Sequence, residues 1–309
     1  MNKISSYSKK LLYFLLTFIV VYFLFLLLFS MTGKSNPIAK TDTSKSSLSK
    51  FLEYKTAKNL DILFLGSSVI LQGIDPRIFE QNDISVFNMG TKLQTPLNSY
   101  FLYKSLLKLN NTSVKLLVVD INMFVLSVES DESTFDLISN SPLSTENIAL
   151  CFKSKNPMTF NTLFTSYITP PKTQTIKVDT NYNVINRGFL ESNHNENSNK
   201  KLTRDKIEIR KEYWEYISKL AILAKQNNTK IIFITQPSPS IWKASVVNYE
   251  ANRLAIDSFF TTQNLRYIDF NKKYMLDDQK DYLDHLHLNN SGVKKYNEIL
   301  IRELTSILY

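Results

Sequence analysis

Residues 61–76 read DILFLGSSVILQGIDP. The run 61–66 has strand length and no polar alternation, which is how a strand buried on both faces reads. It passes directly into Gly66-Ser67-Ser68-Val69. In a parallel sheet, ligand sites form beyond the C-terminal strand ends, so a serine there can expose its Oγ beside backbone amides. By itself, Gly-Ser-Ser is equally the turn that simply ends a strand. Further on, Asp75 is placed to cap a helix whose first position is Pro76.

Outward from this stretch, the apolar runs ISVFNM (84–89), VKLLVVDI (114–121), KIIFIT (230–235) and LRYIDF (265–270) read as further strands. Helical periodicity marks about 97–109, 205–227, 245–263 and 291–308. Strands spaced by helices of that length predict βαβ units, hence an α/β domain over 51–309 with a mostly parallel sheet covered on both faces. The stretch 124–204 breaks the rhythm and is expected to be an insertion between the third and fourth strands, a candidate lid or substrate-facing excursion. Its polar part, 192–201, reads equally as irregular loop.

Six glycines in 309 residues is unusually few, and three of them (Gly66, Gly73 and Gly90) fall in one 25-residue window. One cysteine, Cys151, excludes an internal disulfide framework and a multi-thiolate zinc cluster. No G-x-G-x-x-G or G-x-x-x-x-G-K-[ST] occurs, so those routes to nucleotide binding gain no support, and there is no G-x-S-x-G elbow.

Residues 11–31, LLYFLLTFIVVYFLFLLLFSM, carry no charge. As a helix they span about 31 Å, close to a bilayer's hydrocarbon core. No A-x-A cleavage site or lipobox cysteine follows, so an uncleaved signal anchor is expected. Lys3, Lys9 and Lys10 precede it without an acid, placing the N-terminus in the cytoplasm and residues beyond about 35 outside. Residues 35–50, rich in Ser, Thr and Lys, read as a flexible linker. The formal charge of +9 leaves about +5 beyond residue 34. Outside a membrane that balance suits lipid headgroups or anionic envelope polymers and not nucleic acid, although a plain basic surface would read the same.

The second informative stretch is YLDHLHLNNSG (282–292), which holds two of the three histidines. Asp284 and His287, three residues apart, can bring a carboxylate to the imidazole Nδ1, leaving Nε2 to take a proton from serine. Ser291 is placed to cap the final helix. The same His285-x-His287 pair beside Asp284 could instead ligate zinc, but the remaining histidine, His194, lies in an Asn-rich loop and makes a poor third ligand.

Together these blocks resemble the SGNH/GDSL hydrolase superfamily over roughly 58–309. That resemblance implies a three-layer α/β/α sandwich with a flavodoxin-like sheet. It makes Ser68 the nucleophile, Asp284 the orienting acid and His287 the general base. It also implies an oxyanion hole from the amides of Ser68 and Gly90 and the side chain of Asn122. No cofactor is implied. Ser67 replaces the family's usual Asp. The segment GSSVILQGIDP and the later HLNNSG are similar to a membrane-anchored branch that includes the DltD proteins of teichoic-acid D-alanylation and proteins that O-acetylate exopolysaccharides. The third block departs most: Asp120-Ile121-Asn122-Met123 stands where Gly-x-Asn-Asp is usual, so Asn122 reads as an oxyanion donor or as a turn residue.

The resemblance implies an extracytoplasmic serine acyltransferase or esterase acting on acetyl or D-alanyl groups of envelope polysaccharide or teichoic acid. A membrane-bound O-acyltransferase would be its partner and an anionic or neutral glycopolymer its acceptor. The alternatives are a catalytically inactive scaffold of the same fold in a polymer-modification complex, and a metal-dependent hydrolase.

Overall fold

The computed structural model describes residues 2–31, 42–109, 113–168, 182–193 and 202–309. Its strands are β1 (Leu60–Leu65), β2 (Val86–Asn88), β3 (Val114–Asp120), β4 (Tyr182–Ile185), β5 (Phe189–Ser192), β6 (Lys230–Thr235) and β7 (Tyr267–Asp269). The first helices are α1 (Asn2–Met31), α2 (Asp42–Tyr54), α3 (Ser68–Gly73), α4 (Pro76–Glu80) and α5 (Pro96–Leu109). After β3 come α6 (Asp131–Asn140), α7 (Thr145–Ser154) and α8 (Met158–Ile168). The remainder are α9 (Lys211–Gln226), α10 (Ser240–Ser245), α11 (Tyr249–Thr262), α12 (Phe270–Lys273) and α13 (Asn290–Leu308).

Five strands form one parallel sheet in the order β2-β1-β3-β6-β7. Counted along the chain this is 2-1-3-4-5, the flavodoxin-like order, whose reversal point lies between β1 and β3. The register fixes the strand ends: Leu63 pairs with Phe87 on one side and Leu117 on the other, and Asp120 pairs with Ile234. Ser68, Gly90 and Asn122 therefore all follow the C-terminal ends of neighbouring strands.

Alternation along the strands makes the three layers. Ile62, Phe64, Leu116, Val118, Ile232 and Ile234 pack with Ile70, Phe79, Tyr296 and Leu300 from α3, α4 and α13. Leu63, Leu65, Leu117, Val119 and Phe233 point the other way, against α2, α5, α9 and α11 through Phe51, Leu102, Ile217 and Phe260. Each fully buried side chain of this kind contributes about 1.5–3 kcal/mol before the entropy of ordering is counted.

Three expectations shift. Of the expected linker, residues 35–41 lie outside the described residues, but 42–50 are helical within α2, and from Ser47 on the helix packs against the domain. There Ser47 Oγ donates to Asp136 Oδ2 at 2.7 Å, and Lys50 is buried beside Phe51. Tertiary partners in α6 override a polar, spacer-like composition. The helix expected at 205–227 begins at Lys211, because residues before it lie extended and Asp205 bridges to Val246. The final helix is capped not by Ser291 but by Asn289, whose Oδ1 accepts from Gly292 N at 3.1 Å. Ser291, one turn in, instead donates to Asp281 Oδ1.

Between β3 and β6 the chain builds α6, α7, α8 and an antiparallel hairpin, β4–β5; residues 169–181 and 194–201, including His194, lie outside the described residues. The hairpin meets the sheet edge at Gly188, which has φ +91°. A Cβ there would come within 2.0 Å of Asn88 O, so only glycine permits this approach. The N-terminal helix has mean hydropathy 2.8 over its apolar part and is long and apolar enough to cross a membrane once.

Candidate active site

Strand β1 ends at Leu65, and Gly66 turns the chain into α3. A Cβ at Gly66 would lie 2.5 Å from Ile70 Cγ1 and 2.7 Å from Asp120 Cβ, so the glycine lets the turn sit tight on β3. Ser67 occupies the N-cap position, buried, with its carbonyl accepting from Ile70 N and Leu71 N. Ser68 is thus the first residue of α3. Its N–H has no partner among the described residues, as expected in an open first helical turn.

The partner segment is a short closed loop. Tyr282 and Leu288 form a bridge, and Leu283 N donates to His287 O at 2.8 Å. The loop is held from beneath by Asp281. This buried carboxylate accepts from Lys295 Nζ at 2.7 Å and from Ser291 Oγ, while its backbone oxygen accepts from Asn289 N. Within the loop, Asp284 Oδ1 accepts from the amides of Leu286 and His287 at 2.7 and 2.8 Å.

These supports bring Ser68, His287 and Asp284 into one continuous chain of contacts. Ser68 Oγ lies 2.8 Å from His287 Nε2, and His287 Nδ1 lies 2.9 Å from Asp284 Oδ2. The serine and histidine are 219 residues apart in sequence. Burial alone would raise the Asp284 carboxyl. The imidazole at hydrogen-bond distance and the two amides outweigh it and hold the group well below the usual carboxylate range. An ionised Asp284 favours the tautomer with the proton on Nδ1, which leaves Nε2 as acceptor for the serine O–H.

The oxyanion donors expected from sequence are arranged less simply. Gly90 N–H donates to Asn88 Oδ1 at 3.0 Å, and Gly90 O accepts from Lys50 Nζ at 2.6 Å. Asn88 Nδ2 reaches across to Ile70 O and Ile74 O, so this one buried side chain pins the Gly90 loop to α3. Asn122 is buried at the end of β3. Its Oδ1 accepts from Phe124 N at 2.8 Å, and its Nδ2 has no partner among the described residues. Ser68 N–H and Asn122 Nδ2 are the unengaged donors of the set; Gly90 N–H would have to be shared.

Lys50, whose Nζ holds the Gly90 carbonyl, carries no signal in the sequence, because it lies in a polar, spacer-like stretch. Burial lowers its ammonium to about 7, with Asp136 opposing the shift. Asp120, named only as part of the divergent block, is fully buried beneath Gly66, and burial pushes its carboxyl up to about 7 against the amides of Gln236 and Asn122. One of its oxygens has no partner among the described residues. His285 does not join the Ser68 contacts, and its Nδ1 is buried without a partner there. Among the described residues no three His, Cys, Asp or Glu side chains gather as a metal site, and both ring nitrogens of His287 face Ser68 and Asp284.

No protein-family profile matches the chain, and no curated protein matches it. Solved structures do align over most of its length. A proposed acylhydrolase from Bacteroides fragilis aligns at 12% identity and TM-score 0.44, covering 84% of this chain and 95% of that one. A GDSL-like lipase from Bacteroides thetaiotaomicron aligns at 11% identity and TM-score 0.41, covering 85% and 99%. A family 3 carbohydrate esterase from Clostridium thermocellum aligns at 12% identity and TM-score 0.39, covering 81% and 98%.

Proposed function

We propose that the chain is a membrane-anchored serine acyl-transfer enzyme of the SGNH/GDSL type, an esterase or acyltransferase whose nucleophile is Ser68. The observation that carries this reading is the Ser68–His287–Asp284 contact chain at the C-terminal edge of a parallel sheet.

In this mechanism His287 Nε2 takes the hydroxyl proton as Ser68 Oγ bonds to an acyl carbonyl carbon. The carbonyl π pair moves onto oxygen, where Ser68 N–H and Asn122 Nδ2 are the available donors. Collapse expels the alcohol or thiol, which leaves with the proton from His287. Water or a polymer hydroxyl then repeats the sequence on the acyl-enzyme and restores Ser68. Asp284 keeps its charge throughout and stabilises the imidazolium.

The finer reading is transfer of acetyl or D-alanyl groups to an envelope glycopolymer, with a membrane-bound O-acyltransferase supplying the acyl group. It rests on the Gly66-Ser67-Ser68 and Gly73-Ile74-Asp75-Pro76 segments and on the apolar helix α1. Orientation follows the lysines before that helix, with the N-terminus cytoplasmic and the domain outside. Turnover of acetyl and D-alanyl esters by the full chain in detergent tests this. Ser68→Ala should cut kcat by about 1,000-fold or more, and only the true acyl group should be turned over efficiently.

The engaged Gly90 N–H favours a second reading, a scaffold that keeps the fold without the chemistry. In cells, polymer acylation that survives Ser68→Ala but disappears when the chain is deleted would support that reading and overturn the first.

A further inference from the structure

The apolar helix α1 packs on α8, one of the helices between β3 and β6. Tyr22 OH donates to Asn161 Oδ1 at 2.9 Å, and the Phe23 and Phe164 rings lie 4.6 Å apart. Both α1 residues belong to the uncharged run 11–31. Tyr22 stands nine residues before Met31, so a helix crossing the bilayer places it roughly 14 Å inside the boundary on the domain's side. Whatever touches Tyr22 and Phe23 shares their depth.

The composition and bonding of α8 suit that depth. Residues 156–168 contain no charged side chain. The hydroxyls of Thr159, Thr162 and Thr165 fold back on carbonyls of their own segment, at Asn156, Met158 and Asn161. Polar groups in hydrocarbon must be satisfied within the protein; the Tyr22–Asn161 pair satisfies two more, and of the α8 hydroxyls Ser166 Oγ alone is buried without a partner among the described residues. Meanwhile Phe152, Met158 and Tyr167 are 70%, 62% and 68% exposed, a cost in water that acyl chains would remove. Lys153 and Lys155, at the turn between α7 and α8, can snorkel to phosphate headgroups.

We infer that α8 and the adjoining end of α7 are immersed in the leaflet on the domain's side, a second membrane contact beside α1 whose partner is phospholipid acyl chain. The domain is then seated against the bilayer rather than tethered above it. This rests on α1 spanning the membrane and is independent of the chemistry at Ser68.

The test uses the full chain in phosphatidylcholine–phosphatidylglycerol nanodiscs with nitroxide labels at Phe152→Cys and Tyr167→Cys. Leu16→Cys serves as the lipid reference and Met275→Cys, 92% exposed, as the water reference. Buried Cys151 stays in place, its background measured on the unsubstituted chain. Labels at 152 and 167 should collide with oxygen in preference to a water-soluble nickel chelate, with a ratio several-fold above that at 275 and approaching that at 16. A ratio at 167 equal to that at 275 would overturn the inference, whether or not position 16 is in lipid. Shielding of 167 from both collision partners would overturn it too, by putting a second protein copy on this face.

Discussion

At the scale of single residues, two carboxyl groups at the candidate site are held in opposite states. Asp284 is held ionised by His287 and two amides, whereas burial favours the protonated form of Asp120. Asp284→Asn keeps the shape but invites the wrong imidazole tautomer, so kcat should fall about 100- to 10,000-fold with little change in KM, measured on an activated acetyl ester. For Asp120 the folded value, about 7, lies above the unfolded 3.8. Between those values the folded state holds a proton that the unfolded state has lost. The stability this confers is complete below pH 3.8 and is lost as pH rises through about 7. Asp120→Asn should therefore match the wild type near pH 4 and exceed it by a growing margin up to pH 7, a few kcal/mol at most, with no further growth above. Denaturant titrations across that range check the sign. The Ser68–His287–Asp284 contacts were legible because each residue belongs to a short local pattern. The Gly90 N–H bond to Asn88 was not, since nothing in the residues 88–90 distinguishes a free amide from one turned back on its own loop.

At the scale of elements, two helices hold the site in place from outside it. Asn289 caps α13 through Gly292 N, and its Nδ2 donates to Lys280 O, closing the base of the loop that carries Asp284 and His287. Asn289→Ala should cost about 1 kcal/mol as a cap and also lower kcat, because the loop loses its footing. A thermal melt and ester turnover on one preparation separate the two effects. Helix α2 acts on the other side through Lys50 and the Gly90 carbonyl. Lys50→Met should leave the fold intact by circular dichroism and lower kcat by about 10- to 100-fold, more than it changes KM, since small displacements of site loops are expensive. All five strands of the main sheet could be read from their apolar runs, because burial on both faces writes itself into composition. Helix α2 could not, because its buried Ser47 and Lys50 are satisfied by Asp136 and Gly90, partners that sequence spacing does not reveal.

At the scale of the whole molecule, the 2-1-3-4-5 strand order assembles the site from the two ends of the domain. The first strand delivers Ser68, the segment before the last helix delivers His287, and the sheet makes them meet. That order was expected from family resemblance, and the alternating faces of β1, β3 and β6 explain why it packs. The interposed helices follow the insertion expected between the third and fourth strands, but their contact with α1 depends on tertiary geometry that spacing does not reveal. The proposed chemistry stands or falls on the activation of Ser68 by His287. The direct measurement is intact-mass and peptide mass spectrometry of the full chain after reaction with a fluorophosphonate. One adduct is expected, on the Ser68 peptide, absent in Ser68→Ala and strongly slowed in His287→Ala. A folded chain that forms no adduct at Ser68, or forms it equally fast without His287, would contradict the proposed chemistry.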